Sequence, residues 1–110
     1  MKRITLAMGG LLAGSMILYG QQTKSGMESG KTIFEQRCGG CHGLDGKAQT
    51  TIGKNLKMRD LTSEDVQKQA DAELIRTIAN GQGRMPAYNL ILGEDGVKAV
   101  VGYIREMGKQ

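Results

Sequence analysis

Both cysteines of this chain and its only histidine lie within five consecutive residues, Cys38-Gly39-Gly40-Cys41-His42. The chain has 110 residues, which is the length of one small domain. A domain of this size buries little apolar surface and commonly needs a metal, a cofactor or disulfides for stability. Aromatic residues, which usually fill much of a small core, make up only 4% of the chain. The five-residue cluster is therefore where we expect a core-completing group to be bound.

The spacing within the cluster is typical of covalent haem c attachment. Two thiols three positions apart can reach the two vinyl groups on one side of a haem, and the imidazole of the next residue then lies beneath the iron. Cys38 and Cys41 are thus the predicted thioether residues, and His42 is the predicted proximal axial ligand. The cluster predicts one covalently bound haem c.

Two other chemistries use the same residue types. A disulfide between Cys38 and Cys41 would leave His42 without a role, and such a dithiol usually accompanies a βαβ pattern that this sequence lacks. A zinc site needs four ligands, so the three residues of the cluster would have to borrow a carboxylate such as Asp45. Haem attachment is favoured over both alternatives because it uses all three residues and needs no further one.

The second axial ligand of the iron has to come from another part of the chain, because there is no second histidine. A methionine thioether is the natural candidate. Met85 is favoured because Pro86 directs it into an extended conformation and because the glycines before it allow a loop to approach a flat macrocycle. Met58, in the charged stretch 57–60, is the alternative ligand. A role for Met85 in core packing alone is the remaining interpretation.

The N-terminus has the composition of an export signal. Two basic residues precede an uncharged run over 4–19, which is shorter than the roughly 20 apolar residues that span a bilayer. We therefore expect residues 1–20 to be a signal peptide, with an uncleaved membrane anchor as the alternative, and the protein to be periplasmic. Residues 21–29 predict a flexible linker, and residues 30–110 predict one folded domain.

The net charge does not favour nucleic acid as a partner. The formal charge is +4, and two of the basic residues belong to the export signal. Nucleic-acid binding needs a clustered basic face, which so weak a balance does not provide.

Apolar spacing predicts helices and no strands, so the expected fold class is all-α. The predicted helices are 30–38, 62–69, 72–80 and a last one carrying the apolar stripe Val97, Val100, Val101 and Ile104. Thr62 and Asp71 are expected to cap the second and third of these helices, and Gly81 to end the third. Glu94 and Asp95 are expected in the first turn of the last helix. The glycine-rich segment 39–55 is predicted to be irregular.

Three segments resemble the small monohaem class I c-type cytochromes of bacteria. They are residues 38–43 (CGGCHG), 81–88 (GQGRMPAY) and 100–105 (VVGYIR). The resemblance extends from about residue 30 to 109 and implies the cytochrome c fold. In that fold the N- and C-terminal helices cross, and short helices and loops wrap around one haem. It implies that Gly30 and Phe34 face Tyr103 and Val100 where those two helices meet.

One segment departs from the family pattern. Family members commonly carry a Gly-Pro-x-Leu segment whose backbone helps to orient the axial histidine. The corresponding segment here is 53–56, with Lys54 in place of the proline. The hydrogen-bond acceptor for His42 is therefore not predicted by the sequence.

The expected function follows from the number of iron ligands. With His42 and Met85 both bound, the iron has no free position for a substrate, which favours electron transfer and indicates a protein that is not an enzyme. We expect redox protein donors and acceptors to dock briefly at the haem edge. The basic residues near the predicted haem loops are either steering charges or ordinary solvated surface, and they are Lys47, Lys54, Lys57, Arg59 and Arg84.

Two further functional hypotheses stay open. The first is a haem-based sensor or a peroxidase-like enzyme in which Met85 can be displaced from the iron. The second is a haem-bearing subunit of a membrane oxidoreductase complex, which differs from the carrier only in its partner. Retention of the N-terminal segment would favour the second.

Overall fold

The computed structural model describes residues 29–110 together with Gly9, Gly10 and Gly14. Apart from these glycines and Ser29, the predicted signal peptide (1–20) and linker (21–29) lie outside the described residues. The described part forms five helices, α1 (29–42), α2 (Thr51–Asn55), α3 (Glu64–Gln67), α4 (Asp71–Asn80) and α5 (Asn89–Met107). Extended pairing within it is limited to one bridge, between Gln82 and Met85. The predicted all-α class is confirmed.

Helix α1 is longer than the sequence predicted. Its middle, Phe34–Cys38, is wound as a π-helix, and Gly39–His42 resume the α-helix until Gly43 ends it at φ 79° and ψ 152°. The prediction that residues 39–55 are irregular was wrong at both ends of that range. Helix α1 continues to residue 42, and Thr51–Asn55 form α2. The glycines within α1 did not prevent the helix. An internal glycine lowers helix stability by only about 1 kcal/mol, and the packing of α1 against the rest of the fold contributes more than that.

The first and last helices pack closely where glycine removes a side chain. A Cβ atom at Gly30 would overlap the carbonyl oxygen of Ala99 and lie 3.3 Å from the Cβ atom of Tyr103. The rings of Phe34 and Tyr103 meet with their centroids 5.4 Å apart and their planes tilted by 60°. Phe34 is fully buried and Val100 is 1% exposed. The contact implied by the family resemblance is confirmed.

Replacing Gly30 by alanine is expected to destabilise the fold by about 1–3 kcal/mol, because the new methyl group cannot fit without moving α1 away from α5. Urea denaturation of the purified protein measures this change. Gly102→Ala is the matched control, since nothing lies within 4 Å of its Cβ position on α5, and it should stabilise by about 0.5–1 kcal/mol. Equal midpoints for the two variants would show that α1 and α5 do not pack through Gly30.

Both predicted helix caps were wrong by one residue. Ser63 caps α3, with its Oγ accepting from the backbone N–H of Val66 at 3.4 Å. Ser63 has the extended backbone of an N-cap residue, at φ −67° and ψ 154°, and the Thr62 hydroxyl donates to Asp60 Oδ1 at 2.6 Å instead. Helix α4 follows Ala70, which has no capping side chain, so Asp71 is the first helical residue.

Asp71 instead helps to hold the end of α5. Its Oδ1 accepts from Arg105 Nε at 2.9 Å, and Arg105 Nη1 donates to the Gln67 carbonyl at 2.6 Å. The Gln67 amide in turn donates to the carbonyls of Leu61 and Ile104, at 2.7 and 3.1 Å. These bonds fasten the segment around α3 and the start of α4 to the C-terminal helix.

The start of α5 also differs from the expectation. Gly93, at φ 68° and ψ 175°, breaks the helix and separates a single turn, 89–92, from the longer part. Glu94 and Asp95 therefore occupy the first turn of that longer part, as predicted, and an additional turn precedes them. Within the described residues, no helix has both the length and the apolar character needed to cross a membrane.

Candidate functional site

The four predicted site residues line one cavity. Cys38, Cys41, His42 and Met85 share the wall of a space of about 390 Å³, although three belong to α1 and Met85 to the loop after α4. A second space of about 600 Å³ shares His42, Met58 and Met85 with the first and extends to Leu74 of α4. The two spaces together form a crevice between α1, α4 and the loops that follow α2 and α4.

His42 lies near the end of α1, with one ring nitrogen without a partner. Its Nδ1 atom is buried, and no hydrogen-bonding group of the described residues contacts it. Residues 53–56, the segment that departs from the family's sequence pattern, give His42 no acceptor. The carbonyls of Gly53 and Lys54 accept from the N–H groups of Met58 and Lys57, and not from His42. Burial lowers the pKa of His42 and so favours the neutral imidazole. A neutral imidazole is the form that binds a metal.

The two cysteines are free thiols. Burial, and then the nearby charge of Cys41, raises the pKa of Cys38 to about 11. A redox-active dithiol requires the opposite, a cysteine whose pKa is lowered so that the thiolate forms. This disfavours a redox-active dithiol formed by Cys38 and Cys41.

The zinc alternative also finds no support among the described residues. No three His, Cys, Asp or Glu side chains of residues 29–110 are grouped so that they could hold a metal ion. Asp45, the carboxylate that such a site would borrow, has Oδ1 accepting from the N–H of Lys47 at 3.0 Å. The donor set fits haem instead, with two thiols, one neutral imidazole and the thioethers of Met58 and Met85 around one mostly apolar space.

The loop that carries Met85 is a tight turn held by two backbone hydrogen bonds between its first and last residues. Gln82 and Met85 exchange two backbone hydrogen bonds, of 3.1 and 2.9 Å, across a turn that contains Gly83 at φ 56°. Gly81 ends α4, as predicted, at φ 76° and ψ 168°. A Cβ atom there would lie 2.6 Å from the carbonyl oxygen of Met85. Gly81 is thus required for the position of Met85.

Tyr88 connects this loop to the helix that carries the cysteines. Its backbone N–H donates to the Ile78 carbonyl at 3.0 Å, and its hydroxyl donates to the Arg37 carbonyl at 3.3 Å. Its ring lines the same cavity as Cys38 and Met85. The Met85 loop and α1 are therefore joined across the cavity by one side chain.

Thr50 has a positioning role that the sequence analysis missed. Its Oγ1 donates to the Cys41 carbonyl at 2.6 Å and accepts from the N–H of Gly53 at 2.9 Å. A Cβ atom at Gly53 would lie 2.9 Å from the same carbonyl oxygen of Cys41. These two residues hold α2 against the end of α1. A threonine just before a short helix is a recognisable N-cap signal, which the glycine-rich surroundings obscured.

Comparisons with known proteins identify the family of this chain. The sequence model of the family described as cytochrome C oxidase, cbb3-type, subunit III matches residues 25–104. Cytochrome c6 of Microcystis aeruginosa is 31% identical over 75 residues, which cover 68% of this chain and 89% of that protein. The cbb3-type cytochrome c oxidase subunit CcoP of Azospirillum brasilense is 30% identical over 83 residues, 74% of this chain and only 28% of that protein.

A solved structure extends the agreement to the fold. The KustC0563 c-type cytochrome superposes with a TM-score of 0.66 and 31% identity, over 71% of this chain and 95% of that one. The family match, over residues 25–104, includes the segment from the cysteine cluster into the last helix. From its sequence, its helical fold and its cavity, the chain belongs to the small monohaem class I c-type cytochromes.

Proposed function

We propose that this protein is a periplasmic electron carrier with one covalent haem c. Cys38 and Cys41 would form the thioether bonds, and His42 and Met85 would be the axial ligands. The observation that carries the proposal is that these four residues line a single cavity. When bound, the haem iron supplies reversible exchange of one electron between its ferric and ferrous forms.

Hydrogen bonds within the chain hold the site in one geometry. The paired hydrogen bonds between Gln82 and Met85 fix the backbone of the sulfur-bearing residue. Thr50 fixes the backbone at Cys41 from the other side. A site held in one geometry changes little between oxidation states, which suits rapid electron exchange. If His42 and Met85 both held the iron, no position would be left for a substrate, so we expect no catalytic activity.

Covalent attachment is the first part of the proposal to test. The wild-type protein, exported together with cytochrome c maturation factors, should give a haem-stained band at its own mass after denaturing electrophoresis. A Cys38→Ser/Cys41→Ser variant should give none, because noncovalent haem is lost on denaturation. An unstained wild-type band, with protein visible by ordinary staining, would contradict the proposed cofactor attachment.

Redox partners would dock where the cavity opens to solvent. Three of the five basic residues singled out from the sequence line the two spaces, namely Arg84 for the first and Lys57 and Arg59 for the second. All three are exposed. Cations at such an edge raise the rate of encounter with an acidic partner and make that rate sensitive to salt.

Arg84→Glu is expected to slow oxidation of the reduced protein by ferricyanide, a small anion, by about threefold to tenfold at low ionic strength. The difference should nearly vanish in 1 M salt, where charges are screened beyond about 3 Å. Stopped-flow absorbance at several salt concentrations measures both effects. Lys109→Glu, which makes the same charge change at the exposed C-terminal end, is the control. Equal slowing by the two variants would attribute the effect to net charge and not to Arg84.

A second candidate function is that of a haem-bearing subunit of a membrane oxidoreductase. The match to CcoP, an oxidase subunit by its name, favours it. Fractionation of cells that express the full chain separates the two candidates. A carrier is released with the periplasmic contents, whereas a complex subunit stays with the membranes until detergent is added.

A further inference from the structure

Two methionines, not one, line the cavity that contains His42. Met58 and Met85 are both part of the wall of the 390 Å³ space and of the 600 Å³ space, and His42 is part of both walls. An iron held by His42 has only one further axial position to fill. The sulfur of Met58 is therefore a donor that the proposed function does not use.

The backbone turns Met58 inward from a charged stretch. Its neighbours Lys57 and Arg59 are exposed, whereas Met58 is half-buried. Lys57 adopts the left-handed conformation, at φ 50°, directly after α2. The N–H groups of Lys57 and Met58 then donate to the carbonyls of Lys54 and Gly53, at 3.2 and 2.9 Å. This helix-ending turn, usually made by glycine, leaves the two charged side chains exposed beside the 600 Å³ space, whereas Met58 also lines the 390 Å³ space.

The chemistry of Met58 matches that of the axial position. Its thioether is the same donor as that of Met85, and soft sulfur donors suit haem iron. Methionine is unbranched with three rotatable bonds, so its sulfur can be repositioned without a large backbone movement. The thioether carries no titratable proton, so one methionine can replace the other without a change in charge.

We propose that Met58 is a reserve axial ligand, which binds the haem iron when the sulfur of Met85 is lost from it. One iron–sulfur bond breaks and another forms, with no electron or proton transferred. The proposal rests on the proposed function, in which Met85 is the ligand of the resting protein. It would preserve methionine ligation, and with it the redox poise, when the Met85 loop opens or when Met85 is oxidised to the sulfoxide.

The test uses haem-loaded protein and the weak far-red absorption band of ferric haem with a methionine ligand. Met58→Leu should retain the band, because Met85 is present. Met85→Ala should also retain it, shifted in position, because Met58 takes its place. The double variant should lose the band completely. Met85→Ala/Met107→Leu is the matched control and should retain the band, since Met107 is buried in the core away from both spaces.

Imidazole titration gives a second readout that does not depend on the band. An internal ligand competes with added imidazole, so the double variant should bind imidazole at least tenfold more tightly than Met85→Ala does. Haem staining after denaturation shows that each variant carries the group, whatever its folded state.

The outcomes separate the reserve role from the proposed function. If Met85→Ala loses the band and binds imidazole as tightly as the double variant, the reserve role is wrong, and Met85 stands as the ligand. If Met58→Leu alone loses the band, Met58 is the resting ligand and the proposed role of Met85 is wrong as well. A wild-type protein without covalent haem would overturn both.

Discussion

Chain produced without haem is expected to lose most of its cooperative structure. Without haem, the mostly apolar wall of the 390 Å³ space is in contact with water instead of with a large apolar group. The whole stability of a small domain is only about 5–15 kcal/mol, so the loss of this burial is a large part of it. Aromatic side chains also contribute little to the core. Among the described residues, Phe34 is the one aromatic ring that is fully buried.

The measurement compares two preparations of the wild-type chain, one made without maturation factors and one with covalent haem. Circular dichroism during heating should show a cooperative transition for the loaded protein and a weak, broad one for the haem-free chain. The Cys38→Ser/Cys41→Ser variant, exported with the maturation factors, should behave as the haem-free chain does. A haem-free chain that unfolds cooperatively within a few degrees of the loaded one would show that the polypeptide alone forms the core.

Gly81→Ala is expected to destabilise the haem-loaded protein by about 2–4 kcal/mol, because two costs coincide. Its backbone, at φ 76° and ψ 168°, is in a region almost restricted to glycine. The added methyl group would also lie 2.6 Å from the Met85 carbonyl oxygen and 2.9 Å from the Ala87 nitrogen. Urea denaturation measures the total, and hydrogen exchange at the Gln82 and Met85 amides measures the opening of the loop.

Gly83→Ala is the matched control for this loop. Its φ of 56° is also left-handed, but nothing lies within 4 Å of its Cβ position. The expected cost is therefore the conformational one alone, about 1–2 kcal/mol, with little change in exchange at the Met85 amide. Equal effects of the two substitutions would mean that close packing at Gly81 does not position Met85.

The sequence was sufficient where the signal is local. Cys38, Cys41 and His42 lie within five residues, so a local pattern predicts where a haem would attach, and that attachment stays a prediction. The bridge at Met85 agrees with the extended conformation that Pro86 favours, and the end of α4 follows from Gly81. The pairing of Gly30 and Phe34 with Tyr103 came from the family resemblance, which supplied the long-range contact that local patterns do not contain.

The sequence did not predict the structure where two neighbouring residues could play the same role or where a residue adopts an uncommon backbone conformation. Thr62 and Ser63 are both good caps, and no local pattern shows that the Ser63 hydroxyl is the one that accepts from the backbone of α3. The inward position of Met58 depends on Lys57 in a left-handed conformation, which propensities disfavour for lysine. The bond from Tyr88 to the Arg37 carbonyl joins segments far apart in the chain, and no local pattern encodes it.

The most direct test of the central claim is the visible absorption spectrum of wild-type protein exported with cytochrome c maturation factors, recorded oxidised and then after reduction with dithionite. We expect sharp bands in the reduced form and a weak far-red band in the oxidised form, as produced by haem c with histidine and methionine ligands. Haem c bands without the far-red band would contradict methionine ligation and favour a sensor or peroxidase-like role. The absence of haem bands would contradict the electron-carrier function itself.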